Sequence, residues 1–104
     1  MKKRLKQMIK RHIKIVKSMY PELYFAVLMI GDDVLVDINS LKISNEKKYK
    51  DLMYDFIEEY ESKGYFDVYW GVDPALTCDN LSLLEDLVEA PVAENPQIKK
   101  VVNF

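Results

Sequence analysis

The sequence predicts one small α+β domain, a mixed sheet with its helices packed mainly on one face. Residues 1–20 repeat apolar positions at helical spacing, residues 23–38 switch to a strand pattern broken by a turn, and residues 45–72 repeat the switch from helical to alternating spacing. A chain of 104 residues that is 49% hydrophobic and 31% charged can bury one core, and its three Gly and four Pro leave little material for a linker. The expected order is α-β-β-α-β-α with an optional last strand, and residues 1–104 read as a single domain.

The first element is a basic amphipathic helix ending at residue 20. Leu5, Met8, Ile9, His12, Ile13, Ile15, Val16, Met19 and Tyr20 fill one arc, and Lys3, Arg4, Lys6, Gln7, Lys10, Arg11, Lys14 and Lys17 fill the other. Pro21 stops it, because the residue before a proline is pushed out of the helical region. Leu23–Ile30 is continuously apolar, Gly31-Asp32-Asp33 supplies a turn, and Val34, Val36 and Ile38 alternate with Leu35 and Asp37. That is a hairpin whose first strand is expected to be covered on both faces.

Ser44 or Asn45 is placed to cap a second helix with Tyr49, Leu52, Met53, Phe56, Ile57 and Tyr60 inward, and Gly64 to end it. Tyr65–Val72 alternates again, with Phe66, Val68, Trp70 and Val72 on the core side, and a helical crossover makes this strand parallel to the second. Asp79 or Ser82 opens a short third helix that Pro91 stops. Residues 92–104 are an edge strand or a tail, with Ile98–Phe104 as the strand candidate.

Charge is polarised along the chain: the net −2 divides into +8 over residues 1–17 and −10 over the remainder. Such asymmetry implies either a charged partner or a basic helix lying on its own acidic body. Cys78 is the only cysteine, which rules out an internal disulfide and a cysteine-rich zinc site and suits a reducing, cytoplasmic compartment. The basic start lacks a following apolar stretch with a cleavage site, and Leu23–Ile30 is too short to span a bilayer, so neither export signal nor membrane span is expected.

Two surfaces are candidate sites. If helices cover only one side of the sheet, the other presents Leu35, Asp37, Asn39, Tyr65, Asp67 and Tyr69. Asp37, Tyr65, Asp67 and Tyr69 then form an acidic, tyrosine-bearing patch suited to a protein partner. The second surface is the basic helix, whose Lys3, Arg4, Lys6, Lys10, Arg11, Lys14 and Lys17 suit a nucleic-acid backbone bound without sequence preference. No helix-turn-helix, zinc pattern or aromatic RNA-binding strand accompanies them. Membrane binding competes with folding for the same Leu5, Ile9, Ile13 and Val16 stripe.

Catalytic constellations are weaker. Asp32, Asp33, Asp37, Asp67 and Asp73 supply the carboxylates that metal-dependent hydrolysis needs, but Asp32, Asp33 and Asp73 sit where turns need them. No metal or other cofactor is expected. A dyad of His12 with Cys78 requires the first helix to cross the start of the third and lacks an orienting group, and a two-histidine mechanism within the chain is excluded by the single histidine. The composite expectation is a non-enzymatic interaction module of the adaptor, regulator or inhibitor type, binding another protein or a second copy of itself. Nonspecific nucleic-acid binding is the first alternative and aspartate-based hydrolysis the second.

Overall fold

A computed structural model of the chain describes residues 1–84. Helix α1 (Lys3–Met19) leads into strands β1 (Phe25–Ile30) and β2 (Asp33–Ile38). The one-turn helix α2 (Leu41–Ser44), helix α3 (Lys47–Ser62) and strand β3 (Val68–Val72) follow. The sheet order is β1-β2-β3, with β1 antiparallel and β3 parallel to β2. The fold is therefore α+β with a mixed sheet. A helical turn opens at Ser82–Leu84, as the expected third helix requires; its continuation to Pro91 and the Ile98–Phe104 strand lie outside the described residues.

Local chemistry sets each boundary. Helix α1 closes at Tyr20, whose N–H reaches the Val16 carbonyl, one residue before Pro21. Gly31 (φ 62°) and Asp32 form a two-residue hairpin loop between Ile30 and Asp33, and the left-handed φ is what matches the loop to the twist of the strands. Gly64 (φ 87°) ends α3 in a Schellman arrangement: the Tyr65 N–H donates to the Tyr60 carbonyl and the Gly64 N–H to that of Glu61.

The alternation of the strands sorts their side chains. Phe25, Val27, Val34, Val36, Ile38 and Val68 are buried against α1 and α3, with Leu5, Ile9, Ile13 and Val16 from the first helix and Tyr49, Phe56 and Tyr60 from the second. Both long helices lie on this face. Burying such side chains contributes roughly 1.5–3 kcal/mol each. On the outer edge of β1, Asn80 pairs for one residue: its N–H donates to the Phe25 carbonyl and its carbonyl accepts from the Val27 N–H. The Asp79 carboxylate accepts from the Phe25 N–H at 2.9 Å and completes this edge.

Several details differ from the sequence-based expectation. β1 is covered on both faces only over Phe25–Val27; among the described residues Leu28 and Ile30, on the face away from the helices, are 38% and 63% exposed, and Met29, on the helix side beside Val34, is 40% exposed where a cleft opens at the start of α1. The third strand starts at Val68 rather than Tyr65, since the Schellman turn occupies Gly64 and Tyr65; Phe66 accordingly points to solvent at 66% exposure. Ser40, not Ser44 or Asn45, is the capping residue, its Oγ accepting from the Ile43 N–H at 3.1 Å, and it caps the separate helix α2. Glu46 precedes α3 without a side-chain cap, and Ile57 is 39% exposed at the flank of the buried stripe.

Candidate functional site

Strand register builds the first candidate surface on the sheet face opposite the two long helices. Leu28, Leu35 and Tyr69 stand side by side across all three strands, since Leu28 pairs with Leu35 and Leu35 with Tyr69. The next row toward the other end is Ala26, Asp37 and Gly71. The face is graded from closed to open: Ala26 and Asp37 are buried, whereas Tyr69 is 49% exposed and Ile30, beyond Leu28, is the most open. Three neighbouring apolar side chains and a tyrosine on one open face form a patch of the kind that soluble monomers seldom leave bare.

The acids on and around this face define its electrostatics. β1, β2 and β3 contain no lysine or arginine, while Asp33 and Asp37 belong to β2 and the exposed Asp67 precedes β3. Gly71 makes room for Asp37: a Cβ there would lie 2.9 Å from Asp37 Oδ1. Burial raises the Asp37 carboxyl above the ordinary aspartate range, and the nearby Asp73 charge raises it further. No side-chain hydrogen bond holds Asp37 among the described residues.

Of the residues anticipated for this surface, Asp37 and Tyr69 share the face on adjacent strands. Tyr65 and Asp67 fall before β3; Tyr65 is half-buried against the core and Asp67 is exposed. Asn39 is occupied, its Oδ1 accepting from the Tyr24 N–H at 2.8 Å. Leu28 and Ile30 were the residues sequence reasoning missed here. Their signal was the hairpin register, which sets Leu28 opposite Leu35 once Gly31-Asp32 is the loop.

The second surface is the outer arc of α1. Two of its cations meet acids: Arg11 pairs with Glu59, and Lys17 reaches the Asp79 carboxylate at 3.4 Å and the Leu23 carbonyl at 3.1 Å. Lys3, Arg4, Lys6, Lys10 and Lys14 make no ion pair among the described residues. A shallow groove of about 350 Å³ runs along Gln7, Lys10, Arg11 and Lys14. A wider cleft of about 670 Å³ opens where the start of α1 meets the hairpin loop and the end of α3, lined by Lys2, Arg4 and Lys63 with Asp32 as its acid.

Between α1 and α3 lies a polar chain that the sequence alone did not announce. His12 is fully buried and stacked on Phe56, the ring centroids 3.8 Å apart and 5° from parallel. Its Nε2 lies 2.9 Å from Glu59 Oε1 and its Nδ1 2.7 Å from the Tyr60 hydroxyl, which accepts from Trp70 Nε1 at 3.1 Å. Because the Glu59 carboxylate only accepts, Nε2 carries the proton of the neutral ring, and Nδ1 accepts the Tyr60 proton. Every member is then satisfied. Burial lowers the His12 pKa against the opposing pull of Glu59, and the Arg11 hydrogen bond together with His12 holds Glu59 below the usual carboxylate range.

Both ring nitrogens of His12 are engaged, so no dyad with the exposed thiol of Cys78 forms. Among the described residues no group of three or more Asp, Glu, His or Cys converges to hold a metal ion. No helix of the described residues is long and apolar enough to cross a membrane. Comparison with protein-family models, with characterised proteins and with solved structures gives no significant match.

Proposed function

We propose that the chain is a non-enzymatic interaction module that binds a protein partner through the open face of its sheet. The observation that carries this reading is the row Leu28, Leu35 and Tyr69, extended by Ile30, with 49% of Tyr69 exposed on a three-stranded platform. Tyrosine and leucine on a preformed sheet supply contact area at small entropic cost. Asp33 and Asp67 at the margin, with no cation in the strands, select a partner whose apolar contact is bordered by Lys or Arg. An adaptor, regulator or inhibitor fits this description, and a second copy of the chain belongs to the same class of partner. The exposed free thiol of Cys78 suits a cytoplasmic setting.

The test is site-specific photo-crosslinking in cells with the full chain, the reactive residue placed at position 69 and, for comparison, at position 14. Support is a discrete protein adduct from position 69 that disappears when Leu28→Asp is added. No adduct at 69, or the same adducts from both positions, rejects the open face as the binding surface.

A further inference from the structure

We infer that α1 carries a separate binding surface for the sugar-phosphate backbone of a nucleic acid, running from the cleft at Lys2, Arg4 and Lys63 along Lys10 and Lys14. A basic helix lying on its own acidic body would hold its cations against carboxylates, yet Arg11 and Lys17 are the α1 residues so held among the described residues. Lys10 and Lys14, one helical turn apart, border an open groove, and the cleft at the helix start gathers three more cations around one acid.

The helix itself adds to this field. α1 has no acidic residue in its first turn and no side-chain cap, so its N-terminal N–H groups keep their partial positive charge beside Lys2 and Arg4. At 1.5 Å per residue the run from Lys3 to Lys14 is about 16 Å long, enough to follow several successive phosphates.

Two features favour a polynucleotide over a lipid surface. An interfacial helix inserts its apolar arc, but Leu5, Met8, Ile9, Ile13 and Val16 are buried in the core and unavailable to acyl chains. Along Gln7, Lys10, Arg11 and Lys14 what remains outside is polar and charged, and beside Lys2, Arg4 and Lys63 the apolar surface is limited to a few side chains such as Met1 and Met29, a pattern that reads a phosphate backbone and carries no base-specific contacts. The surface also lies across the domain from the open sheet face, since α1 packs on the opposite side of the sheet. The two readings therefore stand or fall separately.

The experiment is fluorescence anisotropy of labelled single-stranded and duplex oligonucleotides with the full chain at 50 and 200 mM salt. Lys10→Glu/Lys14→Glu is the main variant, Lys10→Gln/Lys14→Gln the milder one and Leu28→Asp the control; Arg11 is left intact because its pair with Glu59 joins α1 to α3. Four phosphates neutralised imply a loss of roughly 100-fold in affinity between the two salts. Expected are micromolar binding at 50 mM, that salt dependence, a loss of at least about tenfold in the glutamate variant, a smaller loss in the glutamine variant and no change in Leu28→Asp. Absent binding at 50 mM salt, binding insensitive to salt, or binding untouched by either lysine variant overturns the inference, as does capture by phosphatidylserine vesicles without any by oligonucleotides.

Discussion

The Nδ1 atom of His12 lies 2.7 Å from the hydroxyl of Tyr60, and this contact joins α1 to α3 inside the core. Tyr60 is also the acceptor for Trp70 Nε1, so one hydroxyl links two helices and the last strand. Its proton is retained because burial pushes the phenol well above its ordinary pKa. The chain from Trp70 through Tyr60 and His12 to Glu59 ends at the surface on Arg11.

Replacing Tyr60 with Phe keeps the ring and removes only the oxygen. It leaves His12 Nδ1 and Trp70 Nε1 without their partner, one of them fully buried. An orphaned buried polar group costs about 1–3 kcal/mol, so Tyr60→Phe is expected to lower the unfolding free energy by about 2–3 kcal/mol. Urea denaturation monitored by Trp70 fluorescence reads this directly; a midpoint equal to wild type would show that the network carries no stability.

The same network sets a pH dependence. His12 has a lowered pKa in the folded chain, below its ordinary 6.5, so the unfolded chain takes up the proton first on acidification. Its contribution is whole above pH 6.5 and is lost as pH falls toward the folded value. Glu59, also lowered, acts in the same sense from its ordinary 4.5 downward. Asp37 opposes both: its raised pKa favours the protonated carboxyl in the fold, so its contribution is present below 3.8 and lost as pH rises through the folded value. Urea midpoints in an Asp37→Asn background should therefore fall between pH 7 and pH 5, and adding His12→Gln should flatten that slope.

Asp37 and Gly71 form a second testable pair. Asp37→Asn is expected to raise stability at pH 7, because a buried carboxylate without a hydrogen bond among the described residues loses its charge, and the gain should vanish below pH 3.8. Gly71→Ala should act in the other direction. Its Cβ would stand 2.9 Å from Asp37 Oδ1, a crowding that costs about 1–3 kcal/mol in a packed site. Combining Gly71→Ala with Asp37→Ala should recover about 1 kcal/mol or more relative to the sum of the single changes.

The order of elements was legible because each carries a local signal: the helical stripe of α1, the Gly31-Asp32 loop and the Gly64 cap all act within a few residues. The polar chain at His12 was not legible. It joins residues 48 apart, and periodicity reports only that His12 faces inward. The start of β3 was misread for a related reason: alternation from Tyr65 onward resembles a strand, yet Tyr65 is the residue whose N–H closes the end of α3. For the candidate surfaces, sequence placed Asp37 and Tyr69 by alternation, while Leu28 required the register, and Arg11 looked equivalent to Lys14 until its pair with Glu59 was seen.

The misread strand start yields a contrast between two phenylalanines that alternation and helical spacing both assign to the core. Phe56 is 3% exposed and lies flat beneath the His12 ring, whereas Phe66 is 66% exposed just ahead of β3. Truncating Phe56 to Ala removes a buried ring and the stacking surface of the histidine, a change expected to cost about 3–5 kcal/mol. Phe66→Ser gives up little burial and should stay within about 0.5 kcal/mol of wild type. Parallel urea titrations of the two variants decide the matter: comparable losses would mean that Phe66 packs inward and that the strand begins at Tyr65 after all.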